Sequence, residues 1–384
     1  MKVLMICDLE DWILGKIARR LQQLLSPKIY VTVLVSHSSD FKSQFFSLQK
    51  EHDVVHFLSP WDFFNIANHI HKPCAVTLWH MVDWSDFKKN SRRIDALCVG
   101  SEQWMKISKN HIPEKLPLTR IHYGLDTNNF QKRASARQDF IKEYALNENT
   151  IVLGFAGSAW SNEGNRKGLD RIWRCLINLK KETNIKFILR IAGRHWTVDA
   201  IPIELRDFVR LTLDLPTESL PNFYSSLDYY ICASAFEGVP YPVLEAMSCE
   251  CVVLSTPVGV VPEIFVNGKN GFLLDDQDNL EKDFVNIISK TAKDLQYRVA
   301  IGSLARQTII KNFSWELSVN SVDYMEIYNQ AIKFYKKRSI FWFVSYNLNR
   351  VFVSVFSSTK YYLISLRSRI RIRKRLSLFF KQNA

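Results

Sequence analysis

The sequence lacks the cysteine spacing of metal sites and disulfide frameworks. None of its seven cysteines forms a Cys-x-x-Cys pair, and Cys249 and Cys251 are separated by one residue with no histidine nearby. Most of the others lie in apolar runs that are typical of buried strands. These features argue against zinc and against disulfides, so we expect structural thiols in a reducing cytosol.

No long apolar segment marks a leader or a membrane-spanning helix. The opening residues, MKVLMICDLEDW, contain a short apolar run that meets Asp8 and Glu10 at once, whereas a signal peptide needs a longer apolar core. We therefore predict a first β-strand here and a cytoplasmic chain. Near the other end, Asn349 and Arg350 help to interrupt the best candidate before it reaches the ~18–20 apolar residues that a spanning helix needs.

Acidic residues are missing from the last part of the chain. From residue 330 onward there are thirteen Lys or Arg and no Asp or Glu. Removing these thirteen leaves 38 basic residues against 38 acidic ones, so the whole formal excess of +13 lies in this segment. Residues 336–384 alternate aromatic and aliphatic runs with Lys and Arg, which favours interfacial helices on an anionic membrane. The run RSRIRIRKR leaves RNA as the alternative partner.

Several short catalytic motifs are also absent. The chain has no Gly-x4-Gly-Lys-Ser/Thr loop, no His-Glu-x-x-His helix and no Gly-x-Ser-x-Gly turn. Their absence excludes the nucleotidases, zinc proteases and serine hydrolases that depend on them.

The sequence does contain strand–helix alternation throughout. Apolar strands between helical patterns indicate parallel sheets covered on both faces, an α/β fold. Two similar halves joined by the polar stretch RASARQDFIKEYALNENT place a ligand site in the cleft between domains. The predicted strands are KVLMIC, YVTVLVS, DVVHFL, CAVTLW, DALCVG and LTRIHYG, then IVLGFAGS, KFILRIAG, FVRLTLDL, DYYICASA, CVVLSTP and GFLL.

The stretch FEGVPYPVLEAM joins a predicted strand to a helix and carries two carboxylates, Glu237 and Glu245. Loops at the carboxyl ends of parallel strands bind ligands, and a helix N-terminus suits phosphate. Pro242 fits the first helical turn, and Gly238 lets the backbone approach a ligand closely. Because a carboxylate accepts two hydrogen bonds from a diol, the pattern indicates a sugar–diphosphate–nucleoside ligand. On spacing alone, a loop glutamate and an exposed helix glutamate remain the alternative.

The segment FEGVPYPVLEAMSCECVVLSTPVGVVPEIFVNGKNGFLLDD resembles the C-terminal half-motif of glycosyltransferase family 4, the retaining GT-B enzymes (glycosyl transferases group 1). Further matching segments occur in the expected order, and the resemblance covers about residues 1–335. They are HYGLDTNNF, LGFAGSAWSNEGNRKGLD, LRIAG, LPNFYSSLDYYICAS and NFSWE. The resemblance implies two Rossmann-like domains facing across a cleft.

The resemblance also implies the domain limits. We expect a Rossmann-like acceptor domain at residues 1–148 and a Rossmann-like nucleotide-sugar domain at residues 149–318. A closing helix at residues 319–335 would return to the N-terminal domain. The basic, aromatic, membrane-associating tail at residues 336–384 would follow as amphipathic helix.

On the family pattern, Glu245 would hold the ribose hydroxyls, and Glu237 would hold the transferring sugar. Lys167 matches the family lysine that neutralises the leaving diphosphate, an effect worth about 3–4 kcal/mol of barrier by analogy with other preorganised donors. Glu237, Lys167 and His80 are the expected catalytic residues. The turn and the helix start that follow Glu237 would bind the donor through Pro242, Val243 and the backbone of Gly238, Val239, Pro240 and Tyr241, which would lie along the diphosphate.

Two residues of the N-terminal half match family positions that face the donor from the other side of this cleft. Gly15, at the start of the first helix, matches a position where the backbone nears the donor phosphates, and a plain helix-start glycine is the alternative. His80, in TLWHMVDW, ends a strand and matches a family histidine near the donor sugar. His56, which ends another strand, is more simply explained as a structural residue.

Three positions depart from the family pattern. Gly157, expected at the donor, is followed by Ser158, where members often carry Arg. Either Arg166 supplies the missing charge, or one donor–phosphate contact is absent. Two further positions that are commonly glycine in the family hold Glu250 and Val260, which puts local loop geometry in question.

The expected function is retaining transfer of a sugar from a nucleotide sugar to a glycan or lipid-linked acceptor in cell-surface polysaccharide synthesis, without a metal ion or other cofactor. Asp276-Gln277-Asp278 superficially resembles the metal motif of the other glycosyltransferase fold, but its polar loop favours a solvated turn. An inactive relative that serves as a binding module at the membrane is one alternative, and an RNA-binding protein is another. The expected location is the cytoplasmic face of the plasma membrane, with peripheral attachment.

Overall fold

Two parallel β-sheets of six strands each organise the part of the chain that the structure describes, which is residues 1–159, 166–274 and 279–338 of a computed structural model. Both sheets belong to one unit, residues 1–331. The first sheet comes from the N-terminal half, and the second comes from the segment between residues 151 and 273.

The first sheet has the strand order β2-β1-β3-β4-β5-β6 with parallel pairing throughout. Its strands are β1 (Lys2–Cys7), β2 (Tyr30–Val35), β3 (Val54–Phe57), β4 (Cys74–Leu78), β5 (Ala96–Val99) and β6 (Leu118–Arg120). The helices between them are α1 (Ile13–Leu25), α2 (Phe41–Glu51), α3 (Pro60–Ile66), α4 (Ser85–Asn90) and α5 (Glu102–Lys109), with single 3₁₀ turns at Ala67–His69 and Ser91–Arg93. The polar connection to the second sheet contains α6 (Ala136–Glu143).

The second sheet has the order β12-β11-β10-β7-β8-β9 and is also parallel. Its strands are β7 (Ile151–Ala156), β8 (Phe187–Gly193), β9 (Val209–Leu213), β10 (Tyr229–Cys232), β11 (Val252–Ser255) and β12 (Phe272–Leu273). Its helices are α7 (Leu169–Glu182), α8 (Leu220–Ser225), α9 (Tyr241–Ser248), α10 (Val261–Ile264), α11 (Leu280–Thr291), α12 (Leu295–Phe313) and α13 (Trp315–Asn320). The 3₁₀ segments are Val198–Ala200, Ile203–Phe208 and Thr217–Ser219.

The apolar runs of the sequence correspond to strands that are covered on both faces. Every residue of β3, β4, β5, β10 and β11 is buried, as expected for parallel strands between layers of helices. All twelve predicted strands are confirmed, and the α/β fold with them. The seven cysteines all lie in the described residues, where each is buried and none is in a disulfide.

The sequence pattern missed three helices, α2, α4 and the four-residue α10. The buried positions of α2 are Phe41, Phe45 and Gln49, so the third position of its inner face is polar and the apolar period is weak. The Gln49 amide donates to the His69 carbonyl at 3.2 Å and accepts from the His71 N–H at 3.2 Å. These tertiary hydrogen bonds compensate for burying an amide, which a local pattern does not reveal.

The chain returns to the first sheet after α12. Arg20 of α1 forms an ion pair with Glu316 of α13 at 3.0 Å. Farther along, the Tyr328 hydroxyl lies 3.0 Å from His56 Nδ1 on β3. The other ring nitrogen of His56 lies 2.9 Å from Thr77 Oγ1, and burial lowers the pKa of His56 to about 3. His56 is therefore a neutral core residue.

Residues 324–338 are helical. Residues 339–384, which carry most of the predicted interfacial helix, lie outside the described residues. In the part of the chain that is described, no helix combines the length and the apolar character needed to cross a membrane.

Two of the residues that depart from the family pattern, Glu250 and Val260, differ in backbone conformation. Glu250, just after α9, has a φ of 61°, in the left-handed region where a Cβ costs about 1–2 kcal/mol. Glycine is the residue that ends helices in this conformation at least cost. Val260 has an ordinary φ of −80°, so its side chain causes no backbone strain.

We expect Glu250→Gly to raise the free energy of unfolding by about 1 kcal/mol, because glycine adopts the left-handed conformation without a Cβ. Urea denaturation followed by tryptophan fluorescence measures the change. The matched control is Lys142→Gly inside α6, which should lower the free energy of unfolding by up to about 1 kcal/mol. A Glu250→Gly variant that is less stable than the native chain would contradict the strain at this position.

Candidate active site

The loop after β10 carries Glu237 to a buried position at the carboxyl edge of the second sheet. Glu237 is only 6% exposed. The Ser234 hydroxyl, at the start of the same loop, donates a hydrogen bond to Glu237 Oε1 at 3.0 Å. Because β10 pairs with both β7 and β11, this loop leaves the middle of the sheet, where ligands of α/β folds bind.

Two cations hold the Glu237 carboxylate. Lys167 Nζ lies 2.6 Å from Oε1, and Arg166 Nη1 lies 2.8 Å from Oε2. Burial by itself would raise the pKa of Glu237, but the charges of Lys167 and Arg166, the hydrogen bond from Lys167 and the charge of His80 lower the pKa below its usual value. Glu237 is therefore ionised at neutral pH despite its burial.

Backbone geometry at Gly168 brings the two cations to the loop. Gly168 has a φ of 69° and caps α7, and a Cβ there would overlap the Ala233 carbonyl oxygen. The Ala235 N–H donates to the Arg166 carbonyl at 2.8 Å. The segment before α7 therefore packs directly along the loop after β10, which only glycine at position 168 permits.

Glu245 lies one turn inside α9 and is 8% exposed. The Tyr224 hydroxyl of α8 donates to Glu245 Oε2 at 2.7 Å. Burial raises the pKa of Glu245 to about 7, against the hydrogen bond from Tyr224 and the charge of Lys16, which lower it. Unlike Glu237, this carboxyl has no ion-pair partner among the described residues, so it changes protonation near neutral pH.

A cleft of about 290 Å³ opens at the carboxyl ends of β7 and β8. It brings together Lys167, Glu245, Gly157 and Pro242 from the predicted set. Its lining is Ala156, Gly157, Lys167, Ala192, Gly193, Arg194, Asp214, Leu215, Leu220, Tyr224, Pro242 and Glu245. Lys167 thus lines the same cleft as Glu245 while it also bonds Glu237.

A smaller void of about 10 Å³ lies beside this cleft. Glu237, Pro240, Pro242 and Val243 line it together with Lys167. The start of α9, with Pro240 at the N-cap and Pro242 in the first turn, therefore lies between the two carboxylates along the chain.

Other predicted donor residues face away from the cleft. A Cβ at Gly238 would overlap the Trp79 carbonyl, and Val239 is buried where it fills the space beside Gly100. The Tyr241 side chain is buried as well, and burial raises the pKa of its phenol well above the usual value. The contribution of Gly238, Val239 and Tyr241 to any ligand is therefore limited to their backbone.

Gly15 and Ser158 also lie outside the cleft lining. A Cβ at Gly15 would overlap the carbonyl oxygens of Leu9 and Glu10, so a close turn before α1 explains this glycine. The Ser158 hydroxyl donates to the Arg194 carbonyl at 3.4 Å. Both residues have a structural explanation that needs no ligand.

His80 reaches the Glu237 loop from the first domain. It follows β4, and its ring centroid lies 5.5 Å from that of Phe236. Its charge contributes to the lowered pKa of Glu237. The structure therefore brings His80 and Glu237 into one neighbourhood from opposite domains.

Sequence reasoning missed eight residues of the cleft lining, and three of them have polar or charged side chains: Arg194, Asp214 and Tyr224. Arg194 and Asp214 directly follow β8 and β9, and their ion pair has an Nε–Oδ1 distance of 3.6 Å. The position of each after a parallel strand was a usable signal. Tyr224 gave no such signal, because only the packing of α8 against α9 brings its hydroxyl to Glu245.

Metal-binding groups are not clustered in the described chain. Among residues 1–159, 166–274 and 279–338, no three His, Cys, Asp or Glu side chains are placed to hold an ion together. Asp276-Gln277-Asp278 lies outside the described residues, so the expected solvated turn there stays a prediction.

Comparison with known proteins places this site in a family. Residues 136–308 match the family described as "Glycosyl transferases group 1". The chain is 25% identical over 232 residues to an uncharacterized glycosyltransferase of Methanocaldococcus jannaschii, a match that covers 59% of this chain and 56% of that protein. It is 25% identical over 213 residues to the GDP-mannose-dependent alpha-(1-6)-phosphatidylinositol monomannoside mannosyltransferase of Mycolicibacterium smegmatis, covering 52% and 53%. The chain thus matches about half the length of these relatives.

Solved structures share the whole architecture. Sucrose-phosphate synthase from Thermosynechococcus elongatus superimposes with a TM-score of 0.65 at 16% identity, covering 88% of this chain and 98% of that one. HepE of Anabaena, solved with UDP-glucose, gives a TM-score of 0.63 at 16% identity, covering 88% and 100%. At such identities the likeness concerns the fold, which is the GT-B arrangement of two Rossmann-like domains. Residues 136–308, which are less than half of the chain, are thus similar to the glycosyl transferases group 1 family, and the fold is that of the GT-B glycosyltransferases.

Proposed function

We propose that this protein transfers a sugar from a nucleoside diphosphate sugar to a glycan or lipid-linked acceptor in cell-surface polysaccharide synthesis, with retention at the anomeric carbon. The placement of Lys167 carries the proposal. Its ammonium bonds the buried Glu237 and faces the cleft that contains Glu245. A cation between two carboxylates suits a ligand with hydroxyls at both ends and a diphosphate in the middle.

Each part of the donor has a partner in this arrangement. Glu245 accepts hydrogen bonds from the ribose hydroxyls through the oxygen that Tyr224 leaves available. The diphosphate lies at the first turn of α9, where helical N–H groups and the positive end of the helix dipole favour anions. Glu237 then contacts the hydroxyls of the transferred sugar, and His80 borders the same sugar from the first domain.

The reaction that fits this site breaks the bond between the anomeric carbon and the phosphate oxygen while the acceptor oxygen bonds to the same face of that carbon. The acceptor proton passes to the leaving phosphate. Lys167 stabilises the charge that develops on the diphosphate, and Glu237 orients the sugar and stabilises its positive charge. Fixed charges in a water-poor cleft are effective because they need no reorganisation during the reaction.

Arg194 is the better candidate for the charge that Ser158 does not provide. Arg166 directs Nη1 to Glu237 at 2.8 Å, so part of its guanidinium is committed to that carboxylate. Arg194 lines the cleft, and its backbone accepts the Ser158 hydrogen bond. We infer that Arg194 contacts a donor phosphate, and that Arg166 keeps Glu237 ionised.

The acceptor class rests on the names of relatives. Besides the phosphatidylinositol monomannoside enzyme, the chain is 27% identical over 157 residues to O-antigen chain mannosyltransferase B of Escherichia coli, a match that covers 39% of this chain and 40% of that protein. Both names describe transfer to lipid-linked or surface glycans. We extend this acceptor class to the present protein, together with transfer that needs no metal ion.

We expect Lys167→Met to lower kcat about 10²–10³-fold, because a lost preorganised charge costs about 3–4 kcal/mol in the transition state. A panel of nucleotide sugars that includes UDP-glucose and GDP-mannose, with released diphosphate as the readout, identifies the donor and then measures kcat. Lys181→Met, on the exposed face of α7, is the matched control and should keep the native rate. Native protein that neither binds nor turns over any donor would contradict the proposed function. Loss of turnover when EDTA is added would contradict the proposal that the transfer needs no metal ion.

Donor affinity should depend on pH through Glu245. One pH unit below a pKa of about 7, about a tenth of the carboxyl is ionised, so affinity at pH 6 should be several-fold weaker than at pH 8. Calorimetry with an intact nucleotide sugar suits this test, since its diphosphate does not titrate in the range. Glu245→Gln should bind more weakly with a flat profile; an unchanged pH slope in this variant would assign the effect to another group.

Membrane attachment is proposed for residues 336–384, at the cytoplasmic face. Deleting this segment should release the protein into the soluble fraction of cells, because about 1 kcal/mol of attraction is lost for each basic residue near an anionic surface. Replacing its Lys and Arg with Gln in the full-length chain is the matched control for charge. Membrane association that survives the deletion would contradict the proposal.

A further inference from the structure

Four residues at the junction of β5 and α5 contact the second domain: Gly100, Glu102, Gln103 and Trp104. They belong to the sequence Gly100-Ser101-Glu102-Gln103-Trp104, in which Ser101 caps α5 by accepting the Trp104 N–H at 3.3 Å. We call residues 100–104 the α5 clamp. Its contacts reach the loop that carries Glu237 and the turn before α10.

Trp104 bonds the backbone of Glu237 itself. Its indole Nε1 donates to the Glu237 carbonyl oxygen at 2.7 Å. Trp104 is 4% exposed and Glu237 is 6% exposed, so water cannot replace this hydrogen bond without opening the interface. The peptide plane that follows the Glu237 side chain is therefore fixed by a residue of the other domain.

Gln103 holds the turn before α10. Its Oε1 accepts the Gly259 N–H at 2.7 Å. Gly259 has a φ of 56°, and a Cβ there would overlap the Gly238 carbonyl. The turn that Gln103 holds thus packs directly on the backbone that follows Glu237.

Glu102 adds a third attachment beside these two. Its N–H donates to Glu263 Oε1 at 2.7 Å, and Arg120 Nη1 lies 2.7 Å from Glu263 Oε2. Arg120 also forms an ion pair with Glu102 at 3.0 Å. Three consecutive residues of the first domain therefore contact the second domain, and two of them act on the Glu237 loop.

We propose that Trp104 and Gln103 are positioning residues, which hold the Glu237 loop in its reactive geometry only when the two domains are together. The inference rests on the proposed function, since it concerns the same carboxylate. The cleft around Glu245 is lined by residues of the second domain, so nucleotide binding does not need the α5 clamp. Sugar orientation by Glu237 does need it.

The decisive measurement separates turnover from nucleotide affinity. Trp104→Phe keeps an aromatic ring but removes the N–H, and Gln103→Met keeps the length but removes the acceptor. Each should lower kcat at least tenfold while the Kd of the free nucleoside diphosphate stays within twofold of the native value. Trp84→Phe is the matched control, because Trp84 is buried in the same domain against Phe87 and His111; it should leave kcat unchanged.

Hydrogen exchange provides a readout that does not depend on activity. In Gln103→Met the Gly259 amide should exchange faster, and in Trp104→Phe so should peptides that cover residues 235–241, while the core strands stay protected. This measurement remains informative even if the native chain turns over no donor, a result that would defeat only the proposed function.

Three results would overturn the inference. One is native kcat in both folded variants. Another is unchanged exchange around Glu237 and Gly259. Equal losses of kcat and nucleotide affinity, with faster exchange throughout the second domain, would instead assign the contacts a purely structural role and would also overturn it.

Discussion

A buried carboxylate that two cations keep charged is the interaction on which the rest of this site depends. Glu237 has almost no contact with solvent, and burial alone would raise its pKa. Lys167 and Arg166 prevent this at 2.6 and 2.8 Å. Breaking a buried pair by removing one partner costs about 3–5 kcal/mol. The segment before α7 and the loop after β10 are therefore constrained to lie together, and Gly168 is the residue that allows it.

The two carboxylates of the site differ because their surroundings differ. Glu237 is paired with cations and stays ionised, whereas Glu245 has a tyrosine hydroxyl as its partner and a pKa raised to about 7 by burial. An anion beside cations suits charge stabilisation at a reacting sugar, and a carboxyl that titrates near neutrality makes donor binding sensitive to pH. Lys167 links the two, since it contacts one carboxylate and lines the cleft of the other.

The fold was largely predictable because parallel strands that are covered on both faces leave continuous apolar runs. Those runs gave all twelve strands. The helix α2 was not predictable, since a glutamine on its buried face is compensated by partners twenty residues away. For the site, the resemblance named both Lys167 and Glu237, and the structure joins them in an ion pair that the sequence did not predict. A close turn explains Gly15, the side chains of Ser158 and Tyr241 have structural explanations, and Arg194 lines the cleft.

The sequence alone determined the α/β architecture and the two carboxylates around a helix start, because strand periodicity and helix-start chemistry are local properties. It also located the strain at position 250, where glycine was expected. Tertiary structure decided which groups face the cleft, which carboxylate is paired, and how Trp104 and Gln103 of the first domain hold a loop of the second. Those outcomes depend on contacts between residues that are 21 to 156 positions apart, and the distances and burial that set their energies exist only after the chain has folded.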